Sequence, residues 1–166
     1  MALFNRSHLF GLLLLVSLPL DGAAALALAS VQDVPAEPVD YWLRGLEDKD
    51  DYFYRGAYMD CVRAMDYLCS RDDVDQDRLA IWGASQGGGL AFATAALDPR
   101  VDICLADIPW LCHWRGLMTL LIDQDVKDLA AWLAADPGRS RASALETLSY
   151  FDTMNLADRI TCRTLM

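Results

Sequence analysis

Leu79-Ala80-Ile81-Trp82-Gly83-Ala84-Ser85-Gln86-Gly87-Gly88-Gly89-Leu90 is the stretch on which the reading of this chain turns. Leu79 to Trp82 is a short apolar run fit for a buried strand. Gly88 to Leu97 is small and apolar and reads as a helix that stops before Asp98-Pro99. Between them stands the G-x-S-x-G turn Gly83-Ala84-Ser85-Gln86-Gly87. A serine on so sharp a strand-to-helix turn has a strained backbone, and its flanking glycines are needed where no Cβ fits between helix and strand. The turn leaves the Ser85 hydroxyl exposed at the carboxyl end of the strand, where it can act as a nucleophile. The backbone amide of Gln86 can point at a developing oxyanion. Read blandly, the same residues are a glycine-rich turn with an ordinary serine.

Working outward, Tyr54, Tyr58, Cys61, Met65 and Leu68 recur at spacings of four and three, one apolar face of a helix through about Cys69. Glu47-Asp48-Lys49-Asp50-Asp51 places acidic residues where that helix would start, at the positive end of its dipole. Val101 to Ile108 reads as a second strand. Val126, Leu129, Ala130 and Leu133 mark an amphipathic helix, and Ala142, Leu145 and Leu148 another, with the turn Asp136-Pro137-Gly138 between them. Arg163-Thr164-Leu165-Met166 looks like the opening of a further strand. Strands alternating with helices predict an α/β sheet, mostly parallel.

The 166 residues suit one domain, and 54% hydrophobic residues supply a core. A net charge of −10 argues against nucleic-acid binding. Arg6 and His8 precede an apolar stretch, Leu9 to Leu20, and small residues from Ala23 to Ser30 follow. This is the layout of a secretory signal and favours a secreted or periplasmic location. The rival readings are a buried element or a misplaced start, with a cytoplasmic location as the alternative. Val31 to Pro38 looks like a linker. The expected organisation is therefore a signal-like segment over 1–30, a linker over 31–49 and a domain over 50–166.

Asp73-Val74-Asp75-Gln76-Asp77 invites a calcium-loop reading, which fails: the sixth position is Arg78 where glycine is needed, and the twelfth is Ala84 where glutamate is needed. Five cysteines with no C-x-x-C pair predict neither a disulfide framework nor a zinc site, but buried free thiols.

From about Asp50 onward the sequence resembles the acetyl xylan esterase / cephalosporin-C deacetylase family (carbohydrate esterase family 7) of the α/β-hydrolase superfamily. The matching stretches are Tyr52 to Ala64, Gly83 to Ala91, Ala106-Asp107-Ile108-Pro109-Trp110-Leu111-Cys112-His113 and Leu148-Ser149-Tyr150-Phe151-Asp152-Thr153-Met154-Asn155. The resemblance implies a partial α/β-hydrolase fold: a mostly parallel sheet flanked by helices, without the family's early and late strands. It implies removal of acetyl groups from acetylated sugars or other small acetyl esters, and assembly of copies into a homo-oligomer. No metal or organic cofactor is needed for that chemistry.

The resemblance matches Ser85 to the family's nucleophile and Gln86 to the residue whose amide forms half of the oxyanion hole. It supplies no triad partners within these residues. The family's oxyanion tyrosine lies before the matching region, and its acid and histidine lie after the position of Met166. Within the chain only His8 and His113 are histidines. Asp107 and His113 are the candidates for an improvised acid and base, although six residues of separation would demand a tight return of the chain. Two other readings stay open. One is a catalytically inactive remnant or interaction protein. The other is a different α/β-hydrolase, such as an oligopeptidase.

Overall fold

The computed structural model describes residues 13–17, 25–29, 41–120 and 124–166, with side chains described over 41–119 and 126–166. His8 and the expected linker residues 31–38 lie outside the described residues. Among the described residues five strands form one sheet in the order β2-β1-β3-β4-β5: β1 (Leu13–Ser17), β2 (Ala25–Ala29), β3 (Leu79–Ala84), β4 (Ile103–Asp107) and β5 (Arg163–Leu165). β3, β4 and β5 run parallel, with Ala84 beside Asp107 and Cys104 beside Thr164. β1 lies antiparallel to β3, and β2 antiparallel to β1. The apolar amino terminus thus adds two strands to a sheet that the sequence predicts to be mostly parallel.

Among the described residues five α-helices accompany the sheet: α1 (Phe53–Cys69), α2 (Gln86–Leu97), α3 (Trp114–Leu120), α4 (Gln124–Ala134) and α5 (Arg141–Phe151). Tyr54, Tyr58, Cys61, Met65 and Leu68 are all buried, so the periodic face of α1 is its core face. Neither the first turn of α1 nor its N-cap, Tyr52, is acidic. Residues 47–51, expected at the helix start, lie in turns before it. Ala130 of α4 is exposed, and that helix buries Val126 and Leu129.

The core extends upstream of the expected domain start. Trp42, Leu43 and Leu46 are buried in the same cluster as Ile81, Leu90 and Cys104. Residues 41–46 therefore belong to the packed domain, where the sequence predicts a linker. They hold too few residues to show a period, so burial there left no pattern to read.

Register in the parallel part is pinned at Asp102. Its backbone amide donates to the Leu79 carbonyl (2.8 Å), its carboxylate accepts the Leu79 amide (2.7 Å), and its carbonyl accepts the Arg163 amide (3.1 Å). One residue at the foot of β4 thereby aligns β3 and β5. At the opposite ends of these strands, Ala84 and Asp107 stand side by side, and there the chain leaves the sheet for α2.

Candidate active site

Ser85 follows the last residue of β3 and precedes the first residue of α2, with φ 54° and ψ −117°. For an L-residue this conformation costs about 1–3 kcal/mol and persists only where the surroundings over-determine it. Both Ser85 backbone polar groups are engaged. The amide donates to the Asp107 carbonyl (3.0 Å), and the carbonyl accepts from the amides of Gly89 (3.1 Å) and Trp110 (2.9 Å). The end of β4 and the link to α3 therefore hold the turn together with the Gly89 amide of α2.

The approach of these elements leaves no room for side chains. A Cβ on Gly83 would lie 2.2 Å from the Gly87 carbonyl oxygen, and one on Gly89 would lie 2.1 Å from that of Trp110. Glycine in a helix interior costs about 1 kcal/mol relative to alanine, so the run at the start of α2 trades helix propensity for proximity.

The Ser85 side chain does not cap α2. The amides that open that helix lack intrahelical partners, and the positive end of the helix dipole lies at the serine. Gln86 is buried, and its Nε2 donates to the Tyr54 hydroxyl at 2.8 Å. Burial pushes the Tyr54 hydroxyl well above the usual phenol range, so it remains a neutral partner. Packing and this bond thus fix the residue whose amide follows Ser85. A half-buried hydroxyl on a strained turn, beside amides at a helix start, is an arrangement suited to acyl transfer.

Asp107 ends β4 with its side chain exposed, and it touches Ser85 through the main chain. His113 is also exposed, has φ 58°, and lays its ring against Gly116. Among the described residues no hydrogen bond joins the His113 ring or the Asp107 carboxylate to Ser85, so the structure does not assemble them as a triad. An aromatic cluster that spacing alone did not single out packs on Trp110, whose amide bonds Ser85. Trp110 packs edge-on to Trp114 (5.2 Å) and Trp42 (6.0 Å), and Trp42 stacks on Trp114 (5.4 Å, 12°). Trp42 sits far away in sequence, and only the folded chain brings it here. No group of three or more metal-ligating side chains exists among the described residues.

The acetyl xylan esterase (AXE1) family profile matches residues 23–166. Acetyl esterase Axe7A of Xylanibacter ruminicola is 37% identical over 126 residues, covering 74% of this chain and 27% of that protein. The structure of an acetyl xylan esterase from Paenibacillus sp. R4 superposes with a TM-score of 0.75 at 37% identity, covering 88% of this chain and 50% of that one. Acetyl xylan esterase 1 from Thermoanaerobacterium sp. JW/SL YS485 superposes with a TM-score of 0.73 at 29% identity, with the same coverages. The chain thus spans about half the length of these two solved esterases. A strand–serine–helix turn, a parallel sheet of the α/β-hydrolase kind and these matches together place the chain in the acetyl xylan esterase (AXE1) family.

Proposed function

We propose that this chain carries the nucleophile of a serine esterase that hydrolyses acetyl esters of sugars. The observation that supports this reading most is the conformation of Ser85: positive φ, between β3 and α2, with a hydroxyl not used as a helix cap. In the reaction, Ser85 Oγ attacks the acetyl carbonyl as its proton passes to a general base. The Gln86 amide donates to the oxyanion. Collapse of the tetrahedral intermediate expels the sugar alcohol, which takes the proton back. Water, deprotonated by the same base, then releases acetate and restores Ser85.

The base and its carboxylate come from outside these 166 residues, a reading supported by the half-length coverage of the relatives and by the placement of His113 against Gly116. A site lacking its base retains only about 10³–10⁴ of the acceleration over water. The test is hydrolysis of 4-nitrophenyl acetate by wild type and Ser85→Ala, both shown to be folded by circular dichroism. In a form carrying the acid and histidine, turnover should fall to background in the variant; equal turnover would overturn the assignment. Ser85-dependent turnover by the 166-residue chain alone would place the base within it and point to His113.

A further inference from the structure

The link from β4 to α3 is the most strained segment described in this chain. Ile108 (φ 38°), Leu111 (φ 66°) and His113 (φ 58°) all occupy the left-handed region within six residues, and none is glycine. Something must hold that path, and the contacts converge on Asp152, at the end of α5. Its carboxylate is buried. One oxygen accepts the amides of His113 (2.8 Å) and Met154 (3.0 Å), and the other accepts the amide of Trp114 (2.9 Å). The neighbouring Thr153 donates twice, from its amide (2.9 Å) and its hydroxyl (3.0 Å), to the Leu111 carbonyl. Two consecutive residues therefore fasten Leu111, His113 and Trp114. The same strained link supplies the Trp110 amide to the Ser85 carbonyl, and it begins at Asp107, whose carbonyl accepts the Ser85 amide.

From this chain of bonds we infer that Asp152 is a positioning residue for the nucleophile: its carboxylate locks the β4–α3 link, and the locked link holds Ser85 in its strained conformation. The role rests on the reading of Ser85 as the nucleophile. It asks for a carboxylate specifically. Two oxygens face three amide donors, so an asparagine would turn an NH2 toward an N–H on one side, and a glutamate would displace both oxygens by a methylene. Asp152 touches no reacting atom. Its effect reaches Ser85 only through the main chain of residues 107–114.

Amide hydrogen exchange of the whole protein, wild type against Asp152→Asn, tests the coupling. Exchange at Ser85 and Trp110 should rise about tenfold or more in the variant, together with exchange at His113 and Trp114. Faster exchange confined to His113, Trp114 and Met154 would overturn the inference. Should the variant not fold, native-state exchange of the wild type in mild urea decides the matter. Ser85, Trp110, His113 and Trp114 should open as one unit, and separate opening of the first two from the last two would overturn the coupling. Ester hydrolysis provides a separate readout in a form that shows Ser85-dependent turnover. There Asp152→Asn should lower kcat about tenfold with KM nearly unchanged, as expected for loss of a reactive geometry. Normal kcat in a variant whose Ser85 exchange has risen would also overturn the positioning role. Absence of Ser85-dependent turnover in every form would sink the nucleophile reading while leaving the exchange result intact.

Discussion

Gln86 donates from Nε2 to the hydroxyl of Tyr54 at 2.8 Å, out of contact with water, across 32 residues of sequence. The bond ties the first residue of α2 to the first turn of α1. Burying a side-chain amide without an acceptor costs about 1–3 kcal/mol. Tyr54→Phe keeps the ring and deletes the acceptor, so it should destabilise the fold by about that amount in urea denaturation. In a catalytically competent form it should also lower kcat for acetyl esters more than it alters KM, because the Gln86 amide loses its anchor. An unchanged urea midpoint would mean that Gln86 finds another partner.

Two glycines in the same protein should respond oppositely to the same substitution. A Cβ on Gly83 would meet the backbone of Gly87 at 2.2–2.9 Å, atoms that cannot move without shifting α2. Gly83→Ala should therefore destabilise by about 3 kcal/mol or more, in the range of severe overpacking, and disturb the serine turn. Gly56 lies inside α1 with nothing within 4 Å of its added Cβ. Gly56→Ala should stabilise by about 0.5–1 kcal/mol, from helix propensity alone. Thermal unfolding of both variants checks the pair, and stabilisation by Gly83→Ala would refute the close approach.

The strand–serine–helix unit was legible in the sequence because every determinant is local: an apolar run, a glycine-flanked serine and a small-residue helix. The core face of α1 was legible because its residues repeat at helical spacing. What escaped is non-local. Tyr54 reads in the sequence as one member of the apolar face of a helix, and its role at Gln86 depends on how α1 docks against α2. Asp152 falls in a stretch that resembles the family, yet nothing in its neighbours foretells bonds to amides 38 and 39 residues away. Residues 41–46 pack through three apolar side chains without a period. The strands Leu13–Ser17 and Ala25–Ala29 read as a signal-like stretch because an apolar run with small residues after it carries both patterns.

Asp98 ends α2 with a buried carboxylate, and Arg100 bonds it through Nε (2.8 Å) and Nη2 while also reaching Asp66 on α1 (2.7 Å). Burial alone would raise the Asp98 carboxyl; the Arg100 guanidinium and backbone amide outweigh it and leave it below the usual 3.8. A depressed carboxyl contributes stability that is present above its unfolded value and lost as pH falls through the folded one. Arg100→Met should cost about 1–3 kcal/mol at neutral pH, less than breaking a fully buried pair because the Arg100 side chain keeps 38% exposure. The difference between variant and wild type should shrink as pH falls through the carboxylate range and vanish only once Asp98, held below 3.8 in the wild type, is protonated in both. A difference that stays constant from pH 7 to pH 3 would assign the loss to packing.

The thiols should divide sharply by reactivity. All five cysteines are free; Cys61 and Cys104 are buried, while Cys112 is exposed. Burial pushes the Cys61 thiol up to about 11, against a smaller opposing pull from the Thr94 hydroxyl. It pushes Cys104 up to about 12, with Cys162 adding to the effect. Since the thiolate is the reacting species, a disulfide reagent at pH 8 should label Cys112 quickly and reach Cys61 and Cys104 only when the fold opens. The same shifts set the sign of the alkaline limb. An unfolded chain releases these protons near 9.0, whereas the folded chain holds them to about 11 and 12. Between pH 9 and 10 the folded state thus binds more protons, and stability falls as pH rises, by at most about 1.4 kcal/mol per pH unit for each thiol. The buried tyrosines Tyr52, Tyr54 and Tyr58 are raised above the ordinary phenol value of 10.0 and add a smaller fall of the same sign as pH approaches 10. Urea midpoints at pH 8, 9 and 10 should decline in wild type and decline less in the Cys61→Ala/Cys104→Ala double variant. Equal labelling of all five thiols in the folded protein would contradict the buried placement of β4 and of the inner face of α1.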